Sequence, residues 1–360
     1  ISACGDVNRN VICAAHPKFS SLHEEIFAYS DKLSQLAKPK TKAYYEVWLD
    51  EKPLADKTEE VDPLYQDRYL PRKFKIGIAI PPTNDVDVFA NDCGLIAIEE
   101  NGKLAGFNIA AGGGMGATHG NAATYPRLAT VLGFVPAGEK VFKAVYEMIT
   151  VQRDYGNRSD RKLSRLKYTL DNMGVEAFKA ELEKRCGFTL EPERPYKFTG
   201  RTDFYGWHKN HEGKWYYTAF IENGRVHDDE TLPLKTAFLE IALLRKTNFR
   251  FTCNQNLIIA DVSEKDKAEI HAILDKYGII KETEQATPLR KESIACVAYN
   301  TCPLALAEAQ RYLPTLLGKM EPLMHKYGLD DDNISVRMTG CPNGCARPYA
   351  AEIAFIGTSY

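Results

Sequence analysis

The apolar and polar positions in the first half of the chain predict short strands that alternate with glycine-rich loops. Apolar residues at helical spacing predict a long helix at 140–151, and the charged stretch 158–184 that follows is also predicted to be helical. Four short apolar runs, bounded by polar residues, proline or glycine, have the length and the borders of strands: 43–49, 75–80, 94–99 and 107–111. The pattern indicates an α/β unit.

A second pattern begins at residue 196 and predicts a smaller unit that extends to residue 284. Trp215–Ile221 is predicted to be a strand, and the Asn223-Gly224 dipeptide is typical of a tight turn, with Arg225–His227 as the returning strand of a hairpin. A helix, a strand and a second helix, which starts at the capping box Ser263–Asp266, complete the order ββαβα. That order predicts a ferredoxin-like half-domain with a structural role.

Length and composition are those of a globular protein with more than one domain. The 360 residues exceed what one compact core usually holds, and 44% apolar with 26% charged residues is an ordinary balance. With 46 basic against 48 acidic residues the net charge is −2, which gives no support to nucleic-acid binding, and no apolar run is long enough for a transmembrane helix. The chain begins at Ile1 with no secretory segment and ends just after the strand-like residues 351–356, so we expect an excised piece of a longer protein.

Nine cysteines add candidate chemistry, because four of them are grouped. Their odd number, the chain length and the missing secretory segment argue against a disulfide framework and predict a reducing compartment, the cytoplasm. Five cysteines stand alone and are expected to be small buried residues. The other four form two close pairs near the end of the chain: Cys296, Cys302, Cys341 and Cys345.

The spacing of the two pairs suits a metal centre. Five residues separate the first pair, three separate the second, and 38 lie between the pairs. Four thiolates from two loops can hold a structural zinc ion or an iron–sulfur cluster, and the wide first spacing favours the cluster. Pro303 predicts that Cys302 lies at a helix N-terminus, where the dipole favours a thiolate. Pro342 and Gly344 predict a tight turn between the second pair. A zinc site and unligated core cysteines remain the alternatives.

The residues around the two pairs resemble the paired signature of the sirohaem-dependent sulfite and nitrite reductases. The likeness is carried by Cys-Val-Ala-Tyr-Asn-Thr-Cys-Pro-Leu-Ala at 296–305 and Arg-Met-Thr-Gly-Cys-Pro-Asn-Gly-Cys-Ala-Arg at 337–347. Five further segments are similar to the same family: 4–10, 69–75, 152–158, 198–201 and 254–259. The resemblance implies an α+β fold in three parts: a sirohaem-binding α/β domain at 1–195, a ferredoxin-like half-domain at 196–284 and a C-terminally truncated cluster-binding α/β domain at 285–360.

The resemblance also implies a role for each residue of the centre. All four paired cysteines would hold one [4Fe–4S] cluster, and Cys345 would in addition ligate the sirohaem iron. Sirohaem contacts would come from Arg72 and Asn343. The residues that would bind sulfite and deliver protons are Arg9, in a loop, with Lys73 and Lys75. Cations suit such a site because sulfite and the sirohaem carboxylates are anions. The two lysines lie two apart at a predicted strand and so project from one face.

The function implied by the resemblance is the assimilatory six-electron reduction of sulfite to sulfide. Within the family the likeness is closer to the NADPH-linked enzymes, which implies a flavoprotein reductase subunit as the electron donor, with ferredoxin as the less favoured donor. One alternative is the reduction of nitrite to ammonia by the same cofactors. An alternative of another class is a non-catalytic scaffold in which the four cysteines bind zinc.

Two further features are given less weight. The glycine-rich run 112–117 formally fits a dinucleotide-binding motif, but Pro126 interrupts the helix that this motif requires. We expect instead a loop that passes close to the macrocycle. Four arginines could serve the sirohaem carboxylates or form a solvated helix face: Arg153, Arg158, Arg161 and Arg165. None of the eight histidines has the spacing of metal ligands.

Overall fold

The computed structural model describes residues 6–16, 21–40, 48–49, 52–53 and 61–358. The first part of the chain is built on a five-stranded sheet in the order β1-β4-β5-β6-β7, in which β4 is parallel to both of its neighbours and the remaining pairs are antiparallel. The elements are β1 (Asn8–Cys13), α1 (His23–Leu36), β2 (Trp48–Leu49), β3 (Lys52–Pro53), β4 (Phe74–Ala79), β5 (Cys93–Glu100), β6 (Lys103–Ala111), β7 (Thr130–Pro136), α2 (Glu139–Tyr155), α3 (Leu166–Met173) and α4 (Val175–Cys186).

Continuous apolar runs place the core of this part between the sheet and its helices. Phe74, Ile76 and Ile78 of β4 are fully buried, and Lys75 is the one exposed residue of that strand. A strand that is buried on both faces has such a continuous run, whereas a strand with one wet face alternates. Lys75 is therefore the one charged and exposed residue in an otherwise buried strand.

Most elements predicted for this part are confirmed. Three of the four strands correspond to β4, β5 and β6, and the long helix corresponds to α2; the strand expected at 43–49 lies mostly outside the described residues. The prediction of one helical stretch over 158–184 is wrong. A 3-10 turn at Arg161–Leu163 comes first, and Gly174, with φ of 83°, separates α3 from α4. An L side chain is strained at that φ, so glycine is the residue that permits the break.

The second part of the chain is a four-stranded antiparallel sheet with helices against one face. The sheet order is β10-β11-β9-β8. Its apolar core includes Tyr217, Ile241 and Ile259. The elements are β8 (Gly206–Lys209), β9 (Trp215–Ala219), α5 (Leu234–Leu243), β10 (Asn248–Phe251), β11 (Leu257–Val262), α6 (Lys267–Lys276) and α7 (Ile279–Gln285). The order ββαββαα has one strand and one helix more than predicted and keeps the ferredoxin-like character.

The predicted hairpin at Asn223-Gly224 is wrong. β9 pairs with β8 and β11, and no strand forms at Arg225–His227. The Asn223 side chain instead donates to the backbone carbonyl of Gln310 over 3.2 Å, and the Gln310 side chain donates back to the Asn223 carbonyl over 2.8 Å. Because this segment packs against the third part of the chain, it does not turn back on its own strand.

The third part contains a three-stranded parallel sheet in the order β12-β13-β14. Its elements are α8 (Pro288–Lys291), β12 (Ile294–Ala295), α9 (Leu313–Tyr327), β13 (Val336–Thr339) and β14 (Ile353–Ile356). The α+β fold class is therefore confirmed, while the boundaries at 195 and 284 remain predictions. Among the described residues, no helix is both long and apolar enough to cross a lipid bilayer.

The helix predicted to start after Cys302 is absent. The segment 303–310 forms turns, and the next helix, α9, begins only at Leu313. The Leu306 and Ala307 N–H groups donate to the Gly340 carbonyl over 2.7 and 3.0 Å. These donors are directed to the second cysteine loop, so they are not available for a regular helix.

Candidate functional site

Two of the paired cysteines leave the three-stranded sheet at the same edge. Cys296 directly follows β12, and Gly340 and Cys341 follow β13. Because β12 and β13 are parallel, their carboxyl ends meet at one edge, where α/β sheets commonly bind ligands. The Gly340 N–H donates to Cys296 Sγ over 3.1 Å. The two cysteine loops are therefore in direct contact.

Gly340 is the residue at which the two loops are packed together. Its carbonyl accepts the N–H groups of Leu306 and Ala307, which follow Cys302 in the chain. A Cβ at this position would lie 2.6 Å from the Ala307 oxygen and 2.7 Å from Ala298 Cβ. The Cys302 N–H donates to the Ala298 carbonyl over 2.8 Å and folds the first loop back on itself. Any side chain at position 340 would push the loops apart.

A tight turn joins Cys341 to Cys345, as predicted. The Gly344 N–H donates to the Cys341 carbonyl over 3.3 Å, and Gly344 has φ of 65°. Cys341 is buried, whereas Cys345 is exposed. The protein around Cys345 nevertheless removes enough solvent to raise the pKa of its thiol, and the thiols of Cys296 and Cys341 raise it further. The Cys345 thiol thus lies within electrostatic reach of the thiols of Cys296 and Cys341.

Cys302 is half-buried in the first loop, and its backbone N–H holds it to the Ala298 carbonyl. In the described part of the chain, no three or more His, Cys, Asp or Glu side chains are grouped closely enough to hold one metal ion. A four-iron cluster is different, because each cysteine binds a separate iron and the ligands stand farther apart.

The glycine-rich run 112–117 packs against the turn between the last two cysteines. The Ala117 N–H donates to the Pro342 carbonyl over 2.9 Å. A Cβ added to Gly116 would lie 3.1 Å from the backbone oxygen of Asn343. We expected this loop to pass close to the macrocycle, and that contact stays a prediction. Within the protein, the loop packs closely against the cysteine turn.

A buried lysine also holds this glycine-rich loop. Lys167 Nζ donates to the carbonyls of Gly114 over 3.2 Å and Gly116 over 2.7 Å, and also to that of Tyr125. Burial and the nearby Arg165 lower the pKa of Lys167 to about 8. This role could not be predicted from the sequence, because the partners are backbone groups more than forty positions away.

Lys73 and Lys75 flank the buried Phe74 and lie near the Cys345 thiol. Partial burial, together with the positive charges of Lys75 and Arg165, lowers the pKa of Lys73 to about 8. The Lys75 side chain reaches the surface, but the protein around it displaces enough water to lower its pKa. The positive charge of Arg165 lowers it as well. The Cys345 thiol opposes both shifts. The structure therefore brings together the two lysines and the last cysteine.

Arg72 and Arg9 belong to the same electrostatic cluster. Burial lowers the pKa of Arg72, and so do Arg161, Arg165 and Arg9. The expectation of a loop at Arg9 is wrong, because Arg9 lies in β1. The pairing of β1 with β4 shifts between residues 8 and 10, which leaves Arg9 at a bulge beside the start of β4. A bulge redirects a side chain out of the regular alternation of a strand.

A buried carboxylate that the sequence did not single out orients this cluster. Asp92 accepts two hydrogen bonds from Arg165, at 3.1 Å from Nε and 2.7 Å from Nη2, and a third from the Lys75 N–H at 3.0 Å. The Asp92 side chain is completely buried. Such a two-point guanidinium–carboxylate pair fixes orientation as well as charge. Arg165 and Asp92 are 73 positions apart, so no local pattern could reveal the pair.

The other arginines proposed for carboxylate binding are engaged within the first part of the chain. Arg153 forms a salt bridge with Asp154 at 2.7 Å. Arg161 forms one with Asp6 at 2.8 Å, and Arg158 donates to backbone carbonyls. Of the four, Arg165 is the one whose charge acts on both Lys73 and Lys75.

Two family models match the chain. One is described as the nitrite and sulphite reductase 4Fe-4S domain and matches residues 28–190. The other is described as the nitrite/sulfite reductase ferredoxin-like half domain and matches residues 208–277. The four paired cysteines lie outside both matches.

Similar curated proteins and a similar solved structure cover nearly the whole chain. The sulfite reductase [NADPH] hemoprotein beta-component of Leptospira biflexa is 60% identical over 360 residues, which is 100% of this chain and 65% of that protein. The one of Bacillus subtilis is 54% identical over 358 residues, 99% of this chain and 62% of that protein. The NirA protein of Mycobacterium tuberculosis has a TM-score of 0.76 at 25% identity, over 99% of this chain and 59% of that one. The chain thus spans less than two thirds of the length of each of these relatives.

Proposed function

The chain belongs to the nitrite and sulfite reductase family, and on that premise we propose that it carries the catalytic centre of an enzyme that reduces sulfite to sulfide. The family works with a sirohaem and a [4Fe–4S] cluster. One observation in this chain carries the proposal: Cys345, from the third part of the chain, lies within electrostatic reach of Lys73 and Lys75, from the first part. A thiolate for the metal centre and cations for an oxyanion thus meet at one place.

The donor set supports an iron–sulfur cluster. The cysteines come from two loops at one sheet edge, and the Gly340 N–H bonded to Cys296 Sγ is the kind of contact that tunes a cluster's reduction potential. In the proposal, Cys345 also ligates the sirohaem iron, and Arg72 and Asn343 contact the sirohaem. The residues that would hold the cluster are Cys296, Cys302, Cys341 and Cys345.

When bound, the two cofactors would pass on electrons from an external donor and supply the metal that the reduction needs. The protein supplies charge and protons. Arg9, Lys73 and Lys75 would neutralise the bound oxyanion. Lys73, with a pKa of about 8, holds a proton that it can give up near neutral pH, as a general acid must when each sulfite oxygen leaves as water. Asp92 fixes Arg165 beside the two lysines, and the added positive charge favours proton release from both.

We propose an NADPH-linked flavoprotein subunit as the source of electrons, because the similar beta-components carry NADPH in their names. A cytoplasmic location stays a prediction from the cysteine content. Nitrite is the second candidate substrate, because both family models are described by nitrite as well as sulfite.

The test is to purify the full-length protein, record its visible spectrum and measure reduction of sulfite and nitrite in parallel with a reduced viologen dye as electron donor. We expect sirohaem absorption bands, sulfide as the product and a larger kcat/KM for sulfite. A larger kcat/KM for nitrite would assign the nitrite reaction instead. A colourless protein that contains zinc would contradict both.

A further inference from the structure

A buried carboxylate joins the first part of the chain to the segment that carries the last two cysteines. Arg337 Nη1 donates to Asp87 Oδ2 over 2.7 Å, and Arg347 Nε donates to the same oxygen. The side chains of Asp87 and Arg337 are 10% and 3% exposed, so this ion pair lies inside the protein. One carboxylate oxygen therefore accepts from two guanidinium groups, of which that of Arg337 is the more deeply buried.

The two arginines stand on either side of the cysteine turn. Arg337 is in β13, four residues before Cys341, and Arg347 comes two residues after Cys345. Arg337 Nη1 also donates to the Arg347 carbonyl over 3.2 Å. Asp87, Arg337 and Arg347 thus form one connected unit, which we call the bracket. Asp87 thus binds the turn at its entry and at its exit.

All three parts of the chain meet at this bracket. Asp87 lies between β4 and β5 in the first part, the part that also supplies Lys73 and Lys75. Arg347 belongs to the third part, and its Nη2 donates to the Cys253 carbonyl of the second part over 3.0 Å. The bracket is therefore a direct link between the part of the chain that carries the lysines and the turn that carries the cysteines.

We propose that Asp87 is a positioning residue: by holding Arg337 and Arg347 it sets where the Cys345 thiolate lies relative to Lys73 and Lys75. The inference rests on the proposed function, in which that thiolate ligates the metal centre opposite the cations. Among the described residues, the side-chain contacts of Asp87 are with Arg337 and Arg347 and not with the paired cysteines, so Asp87 acts through the two arginines. A charge-assisted hydrogen bond to each of them gives the restraint both strength and direction.

The competing account is that Asp87 only neutralises two buried cations. A buried charge that loses its partner is strongly destabilising wherever it lies, so a loss of stability alone cannot separate the two accounts. Two variants of the full-length protein can. Asp87→Asn keeps the size of the side chain, and asparagine tolerates the left-handed backbone of this position, where φ is 46°. Asp87→Asn combined with Arg337→Met also removes the most deeply buried cation that the first change leaves unpaired.

The first readout is hydrogen exchange of the backbone amides in residues 337–347, measured by mass spectrometry on the protein as purified. We expect exchange in this segment to be about tenfold faster in both variants, because each loses a charge-assisted hydrogen bond to Arg347. The second readout is the sirohaem absorption spectrum, which we expect to be shifted in both. The double variant should regain much of the thermal stability that the single variant loses.

The matched control is Glu222→Gln. Glu222 forms an ion pair with Arg290 that links the second part of the chain to the third, and no contact recorded for this pair involves the cysteine loops. We expect this change to leave exchange in 337–347 and the spectrum as they are in the wild type.

Wild-type exchange in the Asp87→Asn protein would overturn the proposal. So would a double variant in which exchange and spectrum both return to wild type, because the carboxylate would then only balance charge. If Asp87→Asn alone does not fold, the double variant decides. A wild-type protein without sirohaem bands would contradict the proposed function instead, and the exchange comparison would still show whether Asp87 holds the turn.

Discussion

The two halves of the candidate site are held in different ways. In the first part of the chain, the cations lie on and beside a buried strand of six residues, and side chains orient them: Asp92 binds Arg165, and Lys75 projects from β4. In the third part, the strands are two to four residues long, and the cysteines lie in loops beyond them. There the contacts between the loops are made mostly by backbone groups, with Gly340 at the centre, and Asp87 adds buried ion pairs on either side of the turn.

This difference determines which substitutions each half tolerates. A site that is oriented by buried ion pairs is sensitive to the loss of a charge, because the partner is left unpaired in a low-dielectric interior. A site that is built from packed loops is sensitive to added volume, because the interior cannot accommodate it without moving the backbone. We call the cations of the first part the charged half of the site and the cysteine loops of the third part the loop half. Cys345, the thiolate that both cofactors would share, lies in the loop half but acts together with the charged half.

The largest effect is expected at the residue that the two halves share. Cys345→Ser in the full-length protein should lose or shift the sirohaem bands and lower the iron content of the cluster, because both cofactors would depend on this thiolate. Absorption spectroscopy and iron analysis measure the two losses. Cys186→Ala, at a buried cysteine of α4, is the control and should keep both cofactors. If the Cys345→Ser protein kept both cofactors with unchanged spectra, Cys345 would not be a ligand that the two cofactors share.

The charged half should lose turnover before it loses the cofactors. Lys73→Gln and Lys75→Gln are each expected to lower the rate of sulfite reduction by roughly 10²–10⁴-fold with the visible spectrum largely intact, because a general acid typically contributes that much. Steady-state kinetics beside spectra measure this. Lys184→Gln, on an exposed side chain of α4, should leave the rate unchanged. Wild-type rates in the first two variants would make those lysines ordinary surface charges.

The carboxylate behind the cations should matter for stability. Asp92→Asn is expected to lower the free energy of unfolding by about 3 kcal/mol, because it leaves the Arg165 guanidinium without its buried partner. Urea denaturation measures the change. Glu100→Gln removes an exposed ion pair with Arg194 and should leave the free energy of unfolding almost unchanged. Equal losses in the two variants would mean that burial does not distinguish the two pairs.

The loop half should respond to volume. Gly340→Ala is expected to lower the free energy of unfolding by about 1–3 kcal/mol and to reduce the bound iron, because the new Cβ would overlap the Ala307 oxygen. Thermal denaturation and iron analysis report on it. Gly200→Ala is the matched control, since a Cβ there meets nothing within 4 Å. A fully loaded, equally stable Gly340→Ala protein would show that the loops can separate without cost.

The smallest effect concerns pH. Lys73→Gln is expected to raise the free energy of unfolding by about 1 kcal/mol at neutral pH, since solvent around this half-buried lysine reduces the full penalty of its charge. Its pKa is lowered from 10.5 to about 8, so below pH 8 the charge is present and the penalty is complete. Between about 8 and 10.5 the folded protein releases this proton while the unfolded chain keeps it, and the wild type gains stability relative to the variant. Urea denaturation across this range would contradict the prediction if the difference did not depend on pH.

The sequence predicted the fold where local pattern and burial agree. The strands β4 to β6 have continuous apolar runs because both of their faces are covered, and the second part has the periodicities of a half-domain. The prediction failed at Asn223-Gly224 and after Cys302, where the turn and the helix that local rules favour are replaced by contacts to distant backbone. Propensity is a weak guide where tertiary contacts satisfy the same hydrogen-bonding groups.

The candidate site divides in the same way. The cysteine pairs could be found from spacing, and Arg9, Lys73 and Lys75 from resemblance to the family. The residues that orient them could not, because each partner is remote: Asp92 is 73 positions from Arg165, and Asp87 is 260 from Arg347. A single sequence contains no signal for a pairing of that kind.

The span of these contacts bears on how the protein is assembled. The Asp87–Arg347 bond closes 260 residues of chain, and the entropy of closing such a loop must be overcome before the contact contributes any stability. Domains generally form as units, the N-terminal one first during synthesis. We therefore expect the lysine-bearing sheet to be complete while the cysteine loops are still open, and the bracket to form among the last contacts. During that interval the cysteine thiols would be accessible to the source of iron and sulfide for the cluster. Formation of the bracket would then close off that access.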